Sequence, residues 1–306
     1  MTIAQRHITA GDLTPVTIKA ESTYGTPTGD DILYGDVAEG GRFTFTDTAN
    51  PHLSWRYGSR SFNPNNYVTQ QKDAGFSASL EVRDVSGWGR IIDYAVGIGG
   101  TNTDPLLPSR TEEIYAKIGA EWNGRTYNGC KTDKLTISAD APGGVVKFEE
   151  EVLAMKSAPS IVSTAKAAWS ASVTAPAVQW MGGMRLAGVD IYPQSFKLSI
   201  TNNLERIRVP NDGEAITGSL LEGRREMELE AEIWMEDFAL VNDDIANDTI
   251  SGESYITLGI TNRVRLSLPI IRWMANGTHP DLIQDKQRQT IRLRVASLIQ
   301  SQLTGE

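Results

Sequence analysis

Cysteine is what this chain has least of: Cys130 is alone among 306 residues. One thiol excludes an intrachain disulfide framework and any cysteine-rich metal site. Histidine is nearly as scarce. His7, His52 and His279 sit among turn residues, and none has a second His or a Cys at metal-ligand spacing. No apolar run approaches the ~20 residues of a membrane-spanning helix. The opening MTIAQRHITAGDL lacks the basic and then apolar layout of a secretory signal, so a chain made and kept in a cytoplasm, away from membranes, is expected. There is no G-x-S-x-G elbow to support a Ser-His-Asp nucleophile. Gly97-Ile98-Gly99-Gly100 resembles a phosphate loop but follows a helical stretch, whereas a nucleotide fingerprint precedes one, so it reads as a helix stop. No cofactor and no catalysis are expected. Positive charge is also in deficit, 29 Lys and Arg against 38 Asp and Glu, and the net charge of -9 opposes a grip on nucleic acid through phosphate neutralisation.

What is present is strand grammar. In TYNGCKTDKLTISADAPGGVVKFEEEVLA, Leu135, Ile137 and Ala139 alternate with Lys134, Thr136 and Ser138, the period of a half-buried strand. Asp140, Ala141, Pro142, Gly143 and Gly144 then form a turn, because Pro lacks a donor and Gly accepts positive φ. Val146, Phe148 and Val152 resume one face while Lys147, Glu149 and Glu151 occupy the other. The outcome is a long antiparallel hairpin with an apolar side that another layer must cover. Phe76, Ala78, Leu80 and Val82 alternate likewise, as do Phe196, Leu198 and Ile200, and Leu229, Ala231 and Ile233. Tyr115 to Trp122 reads as a further strand, and Tyr255 to Ile260, Val264 to Leu268 and Ile291 to Val295 complete the set. Trp88, Ile91, Ile92, Ala95 and Val96 form a single helical stripe that Gly97 can end, and Phe238, Val241 and Ile245 suggest a second short helix.

The expected fold is mainly β, antiparallel sandwich or half-barrel domains each flanked by a short helix. Residues 1–40, rich in Thr, Gly, Pro and Asp, read as an extended arm that orders only against a neighbouring subunit. A first sandwich spans 41–154, a linker of Ala, Ser, Thr and Pro spans 155–181, and a second sandwich spans 182–306. In both halves a strand, a helix and three more strands follow in that order, and Tyr-Ala-Lys-Ile-Gly at 115–119 matches Tyr-Ile-Thr-Leu-Gly at 255–259. Internal duplication and two unrelated β-domains both remain open on this pattern.

The hairpin, with its Tyr-x-Gly-Cys start at Tyr127–Cys130, the preceding YAKIGAEWNG, the early TYGTPTG and the late PQSFKLSITNNLE, resembles the tail tube proteins of tailed bacteriophages. The resemblance implies a structural virion protein, assembled in the host cytoplasm, that stacks as trimeric pseudo-hexameric or hexameric rings around a channel with an inner β-barrel. It also implies contact with other tail proteins (tape measure, terminator and distal tail) and transient passage of DNA without specific binding. On that basis Leu135, Ile137, Val146 and Phe148 are the candidate inner hairpin, and Glu149, Glu151, Glu228, Glu230 and Glu232 the candidate lumen-facing carboxylates. The rival reading is a carbohydrate-binding or adhesin-like sandwich, for which Trp55, Trp122, Trp169 and Trp273 are available as stacking platforms.

Overall fold

The computed structural model describes residues 15–28, 32–37, 43–53, 67–81, 89–97, 106–118, 121–162, 178–211, 214–234, 249–250, 252–259, 263–273 and 288–303. The chain is mainly β. Its first half runs β1 (Pro15–Thr23), β2 (Thr26–Pro27), β3 (Ile32–Val37), β4 (Phe43–Phe45), β5 (Thr48–Leu53) and β6 (Tyr67–Glu81). Helix α1 (Gly89–Val96) follows, and then β7 (Arg110–Ile118), β8 (Glu121–Ala139), β9 (Lys147–Ala154) and β10 (Lys156–Val162). The second half runs β11 (Met184–Leu186), β12 (Val189–Ile191), β13 (Ser195–Thr201), β14 (Glu205–Asn211), β15 (Glu214–Leu221) and β16 (Glu226–Trp234). It ends with β17 (Thr249–Ile250), β18 (Tyr255–Leu258), β19 (Arg263–Trp273) and β20 (Arg288–Leu303).

The central strand is β8. Its first part lies between β7 and β10, and its last part between β9 and β13. From β9 the pairing continues to β6, and from β13 it continues through β16, β20, β19 and β18 to β11 and β12. All of these pairs are antiparallel. On the other side of β7 lie β1 and then β3, which touches the end of β6. The sheets meet at β8 and form no closed barrel among the described residues. A small sheet of β5, the start of β6, β15 and β14 stands beside them, with β15 and β6 parallel.

The apolar alternation fixes which faces meet. Leu135, Ile137, Ala139, Val146, Phe148 and Val152 are all buried, and so are Phe196, Leu198 and Ile200 and Leu229, Ala231 and Ile233. The expected hairpin is present, with Ile137 opposite Phe148 and Gly143 at φ 82° in the turn. Helix α1 buries Ile92, Ala95 and Val96 and stops at Gly97, whose φ of 92° only glycine takes readily. The helix end is held from the second half of the chain. Arg225 Nη1 donates to Val96 O at 2.7 Å, and Asn202 Nδ2 donates to Ala95 O at 3.0 Å. A guanidinium at the C-terminus also suits the helix dipole.

Three expectations need correction. The strand expected over 115–122 is two strands, since Ile118 pairs with Glu121 and β8 then runs unbroken for 19 residues. The described part of the N-terminal segment packs into the core of its own chain: Val16 and Ile18 are buried, and β1 pairs with β7 over five residues. Its flanking Thr, Gly and Pro masked a short Val-Thr-Ile alternation. The linker is partly sheet, because β10 pairs with β8 over seven residues and Val178 and Trp180 are buried. An edge strand needs an apolar side chain only on the covered side and tolerates Pro where no ladder donor is used, so Lys-Ser-Ala-Pro-Ser-Ile-Val left little pattern. The helix expected around Phe238, Val241 and Ile245 lies outside the described residues.

Candidate functional site

Strands β6, β9, β8, β13, β16, β20 and β19 lie side by side, and the face opposite their buried one is mostly polar, with Leu153 and Ile270 as apolar exceptions. Register sets the rows. Ser79, Glu149, Thr136, Ser199, Glu228, Arg294 and Arg272 face one another in succession, and Lys147, Ser138, Lys197, Glu230 and Arg292 form the next row. All five expected carboxylates are on this face: Glu149 and Glu228 are exposed, while Glu151, Glu230 and Glu232 are half-buried. The structure thus brings together residues that are 77 or more positions apart in sequence (151 to 228).

Strand alternation alone did not reveal what stands between them. With Glu226, the face carries six carboxylates, and Lys134, Lys147, Lys197, Arg265, Arg272, Arg292 and Arg294 stand among them. Lys134 Nζ lies 2.7 Å from Glu151 Oε2, and Arg292 Nη2 lies 3.5 Å from Glu230 Oε1. The Glu151 carboxylate holds the Lys134 ammonium above its ordinary pKa, through their hydrogen bond first and their charge second. These exposed pairs add little stability, with a median of about 0–1 kcal/mol. Their effect is electrostatic: a broad face on which both signs of charge are interleaved. A shallow groove of about 400 Å³ runs along it between Glu149, Lys197, Glu230 and Thr290.

A family model for phage tail tube protein matches residues 11–264. The chain belongs to that family. Its role is therefore structural and its place is the virion tail. No curated protein matches the sequence at a significant level. Among the described residues no group of three or more His, Cys, Asp and Glu could hold a metal, and no described helix is long and apolar enough to cross a membrane. His7 and His279 lie outside the described residues, as do Trp55 and Trp169.

Beneath the charged face this tail tube protein buries a second group of charges. Of the run Glu149-Glu150-Glu151, the middle residue points inward and is buried with Arg110 and Glu112. Arg110 donates from Nε to Glu112 Oε2 at 2.8 Å, from Nη1 to Thr132 Oγ1 at 2.9 Å and from Nη2 to Glu150 Oε2 at 3.0 Å. Its guanidinium also lies 5.0 Å from the Tyr94 ring of α1. One cation thus serves two buried carboxyl groups. Burial pushes the Glu112 carboxyl well above its ordinary value of 4.5; Arg110 pulls it down, but Glu150 raises it further. The sequence does hold a signal for this cluster, a glutamate at an inward position of an alternating strand.

This arrangement has a pH signature. Because its folded pKa is raised, Glu112 takes up a proton on folding, so its contribution is fully present below about 4.5 and is lost as pH rises through the folded value. Cys130, also raised by burial, acts in the same direction at higher pH. Glu112→Gln, a neutral mimic of the protonated carboxyl, is expected to flatten the decline in unfolding free energy on the alkaline side of 4.5 and to match or exceed the natural protein there. Urea unfolding of both forms between pH 4 and 9 checks this. Equal pH slopes would show that Glu112 is ionised in the folded protein.

Proposed function

We propose that this protein polymerises into stacked rings forming the tail tube, with the charge-interleaved face of β9, β8, β13, β16 and β20 lining the channel through which DNA passes. The breadth of that face is the observation that carries the reading. A channel wall must be wetted along its whole height and must not hold a polyanion, and cations interleaved with carboxylates leave few unbroken positive stretches for phosphates. Glu149, Glu151, Glu228, Glu230 and Glu232 act here by occupying those cations, and the net charge of -9 per chain repels DNA at longer range. Leu135, Ile137, Val146 and Phe148 anchor the channel hairpin from behind. The tube ends would meet the other tail proteins that set its length and close it.

The pairing order supports a duplicated chain. In the first half β6 pairs with β9, β9 with β8 and β8 with β7; in the second, β16 pairs with β20, β20 with β19 and β19 with β18. Strands β9 and β10 together run beside β8 as β20 runs beside β19, and β1 joins β7 as β11 joins β18. Tyr115 and Tyr255, the matched residues in sequence, fall on the corresponding strands β7 and β18. With one unit in each half, three chains close a ring of six, and the sheet junction inside each chain replaces half of the interfaces.

Negative-stain images of the purified protein test the tube, and the mass of an isolated ring tests the count. With chains of 33.4 kDa, three give about 100 kDa and six about 200 kDa. Rings of about 100 kDa are expected. Six chains per ring would overturn the duplicated arrangement, and a monomer that binds sugars would favour the adhesin-like reading.

A further inference from the structure

We propose that the cleft between the loop joining β15 to β16 and the middle of β20 is a binding site for a phosphate group. It lies at the end of the charged face, where Glu226 and Arg294 stand, and has a volume of about 410 Å³. Met227 and Val295, both buried, supply apolar lining, and Arg224, Arg225 and Arg294 supply positive charge. Three guanidinium groups around one cleft stand out in a chain of net charge -9. The inference does not rest on the tube reading, because the cleft is built within one chain.

The corner that carries two of these arginines is fixed in place. Arg225 donates from Nε to Asn202 Oδ1 at 2.8 Å and from Nη1 to Val96 O at 2.7 Å. Asn202 is itself buried and donates to Ala95 O and Thr132 O. Asn203 Nδ2 donates to Arg224 O at 2.7 Å, and Gly223 N donates to Asn202 O at 3.2 Å. Only glycine fits at 223, since a Cβ there would lie 2.5 Å from Asn203 O. A guanidinium positioned before its ligand arrives loses little freedom on binding. Arg294 comes from a different element, β20, which is bonded on both sides by β16 and β19.

The positive charge is not met from within the chain. Arg224 and Arg294 are exposed and form no ion pair among the described residues. Across β19 and β20 Arg294 faces Arg272, and like charges directly opposite repel. Of the carboxylates in the cleft, Glu222 is committed, accepting from Lys131 Nζ and from Leu107 N, each at 2.7 Å. Glu226 and, opposite Arg294, Glu228 remain, and the guanidinium groups outnumber them. Guanidinium groups approaching from two elements suit a tetrahedral anion, whose oxygens point several ways, better than a flat carboxylate that one fork satisfies. No aromatic ring stands among the described lining residues, so nothing there stacks on a base. The group recognised is therefore the phosphate alone, which inorganic phosphate and the backbone of a nucleic-acid strand share.

Calorimetric titration of the purified protein at low ionic strength tests this, with inorganic phosphate and a short oligothymidylate as separate probes. Saturable binding of one phosphate per chain is expected, weakened at least about 10-fold in Arg224→Gln and in Arg294→Gln. Both side chains are exposed, so the variants are expected to fold. Arg292→Gln is the control. It removes the same charge from the same face, but from a residue that lies against Glu230 outside the cleft, and is expected to bind phosphate as the natural protein does. Competition then identifies the source of the phosphate: an oligothymidylate displaced by phosphate puts a nucleic-acid backbone in the cleft, and one that does not bind leaves the free anion as the ligand, both in support of the site. Absence of saturable phosphate binding, binding undiminished in either cleft variant, or an equal loss in Arg292→Gln would overturn the inference and leave the tail tube reading standing. Absence of rings from the natural protein would overturn the tube reading and leave this inference standing.

Discussion

Replacing Arg110 by methionine is expected to lower the unfolding free energy by about 3–5 kcal/mol, the usual range when one partner of a buried ion pair is removed. Arg110, Glu112 and Glu150 are 0%, 0% and 3% exposed, so neither carboxyl group can turn to water once the guanidinium is gone. Thr132 loses its 2.9 Å donor at the same time. The same three positions are expected to tolerate joint removal. Arg110→Met with Glu112→Leu and Glu150→Leu leaves no uncompensated charge, and buried ionic groups are often replaced by apolar ones of similar size without net loss. Urea unfolding of the single and triple variants decides. If the triple variant loses as much as or more than the single one, packing and not polar balance is what the cluster supplies; a gain of most of the lost stability identifies the cost as carboxyl groups stranded without their donor. Thr132 and Tyr94 stay in place in both, so the comparison isolates the charges.

Periodicity made much of the fold legible, because a strand with one covered face must alternate. Leu135 to Phe148, Phe196 to Ile200 and Leu229 to Ile233 were placed correctly on inward faces for that reason, and the α1 stripe for the analogous helical one. The failures share a different cause. Edge strands such as β10, and a short strand such as β1 between turn residues, are held largely by main-chain bonds to a neighbour, which leave no mark on side-chain pattern. The site shows the same division. The alternation of Glu149 and Glu151 and of Glu228, Glu230 and Glu232 put each set on one face of its own strand. Which cations face them depends on registers between strands distant in sequence, such as Lys134 opposite Glu151 and Arg292 opposite Glu230. A one-residue slip in either register would have turned those cations to the other face, so pairing and not composition decides the local charge.

Trp180 is the largest fully buried side chain among the described residues, and it lies in a segment whose sequence reads as a linker. Its ring meets Phe196 edge to face with centroids 4.8 Å apart, and its main chain bonds the hairpin turn in both directions, N to Gly144 O at 3.0 Å and O from Gly143 N at 2.6 Å. The residue therefore plugs the core where the β8–β9 turn meets β13, the junction between the two halves. Trp180→Ala is expected to cost about 3–5 kcal/mol through lost burial and the cavity left behind. Trp180→Phe keeps an aromatic partner for Phe196 and removes an indole N–H that has no partner in the core, so it is expected to lose less than half as much. Thermal and urea unfolding of both variants measure the difference. Because the main-chain bonds to Gly143 and Gly144 survive either change, a large loss in Trp180→Ala alone assigns the stabilisation to the ring. Equal losses in the two variants would instead assign it to a contact that only indole makes. Tube formation by Trp180→Phe is expected to be unchanged, since the ring is 0% exposed and meets no other copy.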